Sequence, residues 1–358
     1  MTGFDGRIVE AAEGARNCVV NLANVKAGES VLVVQHTHSD LRIGQVIASI
    51  CREVGADVDL MIVGEPRDRF GRTLHASNAL KAAVKAADVI FANARGVPVG
   101  DARSTGARSV SLRMADIEGF TSPSARLHAE VVFKICELAE RQWKNGKTIT
   151  VTTPQGTNLT ARIVKPAYAF GHVKGPLQPG KFVNWASGFG GLCLWPEWSA
   201  NGTVCFDTVT TFEGRTRTPL KWTVREGRVV KVEGEREHVA FIEKGISEGG
   251  TDSDHFAEIM IGLNPLADIR FDNMFAGLYM ETERHAGVMH CAVGSSTDLE
   301  DDDGQMKTPS IRPSNHYDCM NLQPTIKIDD EYSVKDGRLL VIDHPEVQEL
   351  AAKYGVSF

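Results

Sequence analysis

The sequence predicts an α/β chain in two parts: an N-terminal doubly wound parallel sheet domain followed by a β-rich α+β domain. Three observations point there. Apolar strand runs alternate with helical spacing as far as about residue 146. Beyond it the apolar period drops to that of strands, and this second part sets carboxylates and imidazoles inside otherwise apolar β segments. At 358 residues the chain exceeds the usual single core, and the change of pattern at Gly146 divides it into 1–146 and 147–358.

The first helix covers residues 7–25, where Ile8, Ala11, Ala12, Ala15 and Val19 recur at helical spacing. A turn at Lys26-Ala27-Gly28-Glu29 leads into 30–34, a continuous β-branched run suited to a strand buried on both faces. Ser39 or Asp40 caps a helix that runs to Val54 and stops at Gly55. Residues 57–63 form a second strand, 77–86 a helix, 88–92 and 109–112 further strands, and 125–143 a long helix. Gln35-His36-Thr37-His38-Ser39-Asp40 follows the first strand where a dinucleotide fold would carry G-x-G-x-x-G, which argues against nicotinamide binding. His36 and His38 stand at the carboxyl end of that strand, a position α/β sheets use for ligands; solvated loop histidines are the plainer alternative.

In the second part, Thr148-Ile149-Thr150-Val151-Thr152 and Thr160-Ala161-Arg162-Ile163-Val164 alternate around Pro154-Gln155-Gly156, the pattern of a hairpin. Strands follow at 202–206, 220–224 and 229–233, the last two joined by Arg225-Glu226-Gly227. A helix over 238–248 ends at Gly249-Gly250. The chain closes with strands at 325–328 and 339–342, a turn between them, and a short helix from Pro345. The run Glu300-Asp301-Asp302-Asp303-Gly304 reads as a solvated loop, close enough to the ligand segments to serve as a lid.

Charge and composition narrow the function. A net charge of -7 lacks the basic balance a nucleic-acid partner requires, so a small-molecule substrate is expected. The seven cysteines are scattered, odd in number and without C-x-x-C spacing, which suits reduced thiols in a cytoplasmic protein. The N-terminus has no signal-peptide pattern, and no window approaches the roughly 18 apolar residues of a membrane span, so neither secretion nor membrane association is expected.

The chemistry concentrates between residues 256 and 318. Glu258 lies within Phe256-Ala257-Glu258-Ile259-Met260-Ile261, where a buried carboxylate must be paired, protonated or bound to a cation; the alternative is a solvent-facing side chain. His290 lies in the apolar run Val288-Met289-His290-Cys291-Ala292, with a satisfied core histidine as its alternative. His316 and Asp318 sit two apart on an extended segment, so both point to one face and can grip one cation together. Oxygen and imidazole donors in combination suit Zn, Mn, Co or Fe(II). Trp185, Phe189 and Trp195 supply aromatic walls for a flat substrate, or else hydrophobic core.

The order Ala257-Glu258…Gly262-Leu263-Asn264-Pro265, Glu283…Gly287-Val288-Met289-His290-Cys291-Ala292-Val293-Gly294, His316-Tyr317-Asp318 and Pro324-Thr325-Ile326 resembles the M29 metallopeptidase family, the aminopeptidase T/S-like enzymes. It is also similar to a relative of that family, the iron-dependent 2,5-dihydroxypyridine 5,6-dioxygenase, which has a mononuclear site. By match to the M29 motifs, Glu258, Glu283, His290, His316 and Asp318 correspond to metal ligands. A further Glu of the M29 pattern, in Thr-Gly-Glu-Val-Phe, is missing from Trp185-Ala186-Ser187-Gly188-Phe189-Gly190-Gly191, which implies one metal and leaves Glu283 as a proton-shuttling carboxylate. That segment, with Trp195-Pro196-Glu197, is closer to the dioxygenase, which nevertheless has His in place of Glu258 and lacks counterparts of Glu283 and His290. The resemblance implies first a metal-dependent hydrolase cleaving an amide of a small polar substrate, open-chain or cyclic, with a metal-activated water. Its alternative is a mononuclear Fe(II) dioxygenase that opens a hydroxylated N-heterocycle. A homo-oligomer is implied as well.

Overall fold

The computed structural model describes residues 6–64, 76–94, 96–114, 116–163, 174–185, 190–194, 196, 198–209, 215–269, 279–296, 311 and 313–358. The chain forms two compact units. One comprises Met1–Phe133, Val173–Phe189 and Phe275–Glu281, and the other Lys134–His172, Gly190–Met274 and Thr282–Phe358. The expected boundary at 146/147 therefore differs from the observed division in two ways. The first cut falls earlier, and two later segments return to the first unit, because the period of a strand does not say which sheet it will join.

In chain order the first unit builds α1 (Gly6–Arg16), β1 (Ser30–His36), α2 (Leu41–Val54), β2 (Asp57–Val63), α3 (Asn78–Ala86), β3 (Val89–Asn93), α4 (Val99–Ser104), β4 (Arg108–Ser111), α5 (Glu118–Thr121) and α6 (Pro123–Arg126). The expected first helix is split, since a π-helical turn at Asn17–Leu22 continues α1. Helix α7 (Ala129–Asn145) starts later than expected: Ser122 caps α6 with Pro123 in its first turn, and that short helix ends at Leu127. Asp40, one of the two expected caps, accepts a hydrogen bond from the Arg42 N–H, and Gly55 closes α2 with φ 94°.

Next come β5 (Thr148–Thr152) and β6 (Asn158–Arg162) of the second unit, after which β7 (Phe182–Asn184) completes the first. The resulting five-stranded sheet is parallel throughout, in the order β2-β1-β3-β4-β7. Leu32, Val34, Ile90 and Ala92 pack on one face with Leu80 and Val84 of α3, while Gln35, on the other, lies against Gly44 of α2. Helices on both faces explain the unbroken apolar runs of β1 and β3. His36 and His38 do fall at the carboxyl end of β1, His38 exposed and its N–H donating to Nδ1 of His36 at 3.1 Å.

The second unit continues with β8 (Gly191–Leu194), β9 (Asn201–Val209), β10 (Arg215–Arg225), β11 (Arg228–Glu233), α8 (Arg236–Glu248), β12 (Phe256–Gly262), the end of α9 (Tyr279–Arg284, whose start belongs to the first unit), β13 (Met289–Gly294), β14 (His316–Asn321), β15 (Thr325–Ile328), β16 (Glu331–Lys335), β17 (Arg338–Leu339) and α10 (Pro345–Lys353). Its antiparallel sheet runs β17-β16-β15-β5-β6-β9-β14-β13-β12-β8, with β10 and β11 branching from β9. Strand β16 replaces an expected turn, and the strand expected over 339–342 shrinks to β17 followed by a 3-10 turn at Leu340–Asp343. The first difference arises where the side chains are largely exposed and the apolar pattern is thin, the second in a continuous apolar run, Leu339-Leu340-Val341-Ile342, that fits a strand and a buried turn equally well. Strands β12 and β13 are buried along their whole length, which makes them the core of this unit. Among the described residues, no helix is long and apolar enough to cross a membrane. The acidic run 300–304 lies outside the described residues.

Candidate metal centre

Three neighbouring strands of the second sheet carry the site, and their register decides which side chains meet. Across β12, β13 and β14, Glu258 stands opposite Ala292 and Ala292 opposite Asp318. One step along, Met260 stands opposite His290 and His290 opposite Met320, while on the other side Gly294 stands opposite His316. Directly paired residues of antiparallel strands share a face, and alternate residues of one strand do too. Glu258, His290, His316 and Asp318 therefore all project from the same side of the sheet. Ile259, Ile261, Cys291 and Cys319 fill the opposite side, each fully buried.

The four polar groups converge. Nε2 of His290 lies 3.1 Å from Oε1 of Glu258, and Nε2 of His316 lies 3.1 Å from Oδ1 of Asp318 and 3.8 Å from the same Glu258 oxygen. One ligand atom each from Glu258, His290 and Asp318 lie within 4.8 Å of one another. Glu258 and His290 are buried, whereas the side chains of His316 and Asp318 keep 33% and 27% of their surface exposed, so the site opens on that side. His316 donates through Nδ1 to the carbonyl of Ser295 at 2.7 Å, which fixes the ring and turns Nε2 toward the cluster. Nδ1 of His290 is buried with no hydrogen-bond partner among the described residues.

Electrostatics follow from this crowding. Burial opposes charge on His290, yet the carboxylates of Glu283, Glu258 and Asp318 outweigh it and lift the imidazole from 6.5 to about 9. Burial likewise opposes charge on His316, but the hydrogen bond and charge of Asp318, helped by Glu258 and the Ser295 carbonyl, lift it to about 10. Burial works to raise Glu258; the two imidazoles prevail and hold it below its usual range. Without a cation the site therefore holds two imidazolium ions against its carboxylates. Carboxylates and an imidazole that converge this closely are the donor set of a divalent transition metal; Glu258, His290 and Asp318 fit one, and His316, beside Glu258 and Asp318, stands at its edge as a fourth donor.

Glu283 reaches the site by a different route. It is the penultimate residue of α9, and the backbone from Glu283 to His285 crosses the end of β12 at Gly262. A Cβ at Gly262 would lie 2.2 Å from the His285 carbonyl oxygen and 2.6 Å from that of Glu283, so only glycine admits the crossing. Glu283 is buried and its charge acts on His290, but it does not join the close-packed ligand atoms.

The aromatic expectation needs correction. Trp185 is fully buried in the first unit, its ring 6.0 Å from that of Phe120, so it is core and walls no open pocket. Phe189 and Trp195 lie outside the described residues. Cys193 is a site neighbour that sequence reasoning missed. It stands opposite Met260 on β8, facing the cluster, with Sγ 3.7 Å from Oε2 of Glu258. Burial and the neighbouring Glu258 push its thiol well above the ordinary range. Within Gly191-Leu192-Cys193-Leu194 nothing distinguishes it from a core cysteine; the register of β8 on β12 alone reveals it.

Comparison with known proteins agrees with this architecture. The structure of a 2,5-dihydroxypyridine dioxygenase from Pseudomonas putida superposes with a TM-score of 0.75 at 20% identity, over 94% of this chain and 98% of that one. AmpT from Thermus thermophilus matches with a TM-score of 0.59 at 13% identity, over 93% and 99%. Both likenesses speak to the fold. The search of curated proteins returns no match. A family model described as "NicX: 2,5-dihydroxypyridine 5,6-dioxygenase" matches residues 14–341, nearly the whole chain, and with it the metal-binding strands. The chain belongs to this NicX family.

Proposed function

We propose that the protein is a mononuclear Fe(II) ring-cleaving dioxygenase acting on a hydroxylated N-heterocycle such as 2,5-dihydroxypyridine. The observation that carries this reading is the convergence of Glu258, His290, His316 and Asp318 on one sheet face within a chain of the NicX family. The hydrolase ranked first from sequence gives way to its alternative, since the family match favours oxygen chemistry and the M29 link is more distant.

Glu258, His290, His316 and Asp318 would hold the metal, which supplies the redox chemistry that lets dioxygen react with an aromatic ring. The chain does the rest. The Ser295 carbonyl keeps His316 in the tautomer whose Nε2 lone pair faces the site. The partial exposure of His316 and Asp318 marks the side from which a small substrate enters. Glu283, buried beside His290, accepts the proton of a substrate hydroxyl. Glu283→Gln should leave metal binding within a few fold and lower kcat by about 10²–10⁴, read in steady-state kinetics beside metal titration.

The decisive test is metal analysis of anaerobically purified protein, followed by an oxygen electrode with a panel of dihydroxypyridines. Iron, with oxygen uptake matched to substrate loss, is expected. Zinc or manganese with product formed in the absence of oxygen would instead establish the second reading, a hydrolase. That reading draws its support from Glu258 and His290, the M29-like features of the site. The family resemblance also supports a small-molecule substrate and a homo-oligomeric assembly, which light scattering in solution would check.

A further inference from the structure

We infer that Cys193 is a positioning residue whose S–H donates to Oε2 of Glu258, so that Glu258 meets the metal through Oε1 alone. The inference rests on the proposed metal site and concerns a residue outside the ligand set. Cys193 on β8 pairs with Met260 of β12, two residues along from Glu258, and so faces the same side of the sheet. Its Sγ lies 3.7 Å from Oε2, within reach of a thiol hydrogen bond, and both side chains are buried. The two carboxylate oxygens are thereby given different tasks. Oε2 is held by sulfur, while Oε1 lies 3.1 Å from Nε2 of His290 and 3.8 Å from Nε2 of His316.

A carboxylate without such a tether can rotate and bind a cation through both oxygens, which takes up one more coordination position. A tethered one binds through one oxygen and leaves that position for substrate or dioxygen. The thiol suits the place because it is a weak donor of small bulk that survives burial among apolar neighbours. Backbone packing cooperates. The Gly191–Gly262 pair lies two residues along in register, and a Cβ on Gly191 would come 2.1 Å from Cε of Met260 and 2.9 Å from Nη1 of Arg284, so the register placing Cys193 beside Glu258 allows no larger residue at position 191.

The test titrates Co(II) or Fe(II) anaerobically into wild type, Cys193→Ser, Cys193→Ala and Glu258→Gln, measuring Kd, the visible spectrum of the Co(II) form, and the Tm of the metal-free proteins. Cys193→Ala should weaken metal binding by about tenfold and shift the Co(II) bands toward a higher coordination number, with Cys193→Ser restoring both. Equal Kd values and superimposable spectra for wild type and Cys193→Ala would overturn the inference, whatever the change in Tm. An intense near-ultraviolet sulfur-to-cobalt band, lost in Cys193→Ser, would overturn it differently, by making the thiol a ligand. Failure of wild type itself to bind metal, or wild-type binding left intact in Glu258→Gln, would count against the site assignment and would be seen before any Cys193 variant is compared.

Discussion

At the scale of single residues, the site is defined by carboxylates and imidazoles close enough either to pair with one another as ions or to share a cation. Removing one ligand of a small set should be severe: His316→Ala or Asp318→Ala is expected to weaken metal binding at least about 100-fold, measured by competition with a chelator. The pH dependence has a definite sign. In the metal-free protein both imidazoles have raised pKa values, so their stabilising contribution is complete below 6.5 and disappears as pH climbs through about 9 for His290 and about 10 for His316. Glu258 is lowered, so its contribution is present above 4.5 and is lost as pH falls through its folded value. The metal-free Tm should therefore decline from pH 7 toward 10, while metal affinity increases over the same interval because a cation must displace the imidazole protons. Parallel melting curves with and without metal would check both trends, and a metal-free Tm that rises across that range would refute the charge arrangement. Glu258, His290, His316 and Asp318 were all legible in the sequence, because ionisable groups interrupt apolar strands there. Cys193 was not, since a thiol in an apolar run leaves no such mark.

At the scale of elements, the strands that matter most were the ones most plainly written. The runs of β12 and β13 are buried on both faces and interrupted only by Glu258 and His290, and the His316-x-Asp318 spacing is that of a strand. Less legible were thinly apolar pieces: β16, with its mostly exposed residues, and the short α5 and α6 ahead of α7. Trp185 shows the limit of reasoning from composition, because an aromatic beside a glycine-rich segment fits a pocket and a core equally well until its neighbour Phe120 is known. The crossing at Gly262 makes a sharp element-level prediction. Gly262→Ala places a methyl group against the backbone of Glu283, Arg284 and His285, and should cost several kcal/mol or displace α9 from the site. Lowered Tm with reduced turnover, at unchanged metal content, is the expected pattern if Glu283 is the group displaced. A milder change, Asp40→Ala, removes the cap of α2 and should lower stability by about 1 kcal/mol in denaturant unfolding without touching metal affinity.

At the scale of the whole molecule, the parallel and antiparallel halves were both visible as changes of period, but their chain connectivity was not. A fragment ending at residue 146 would carry β1 to β4 without β7, leaving the outer edge of β4 unpaired. Such a fragment should self-associate in size-exclusion chromatography, and a soluble, stable monomer would show that the outermost strand is dispensable. The late arrival of β7 also has a consequence for biosynthesis. From Ser111 to Asn184 the ribosome must add a long stretch, including both strands of the first hairpin of the other unit, before the earlier sheet acquires its final member. At ordinary elongation rates this takes on the order of ten seconds. For that time the nascent chain exposes a ready template for strand pairing, and chaperone engagement would be concentrated there.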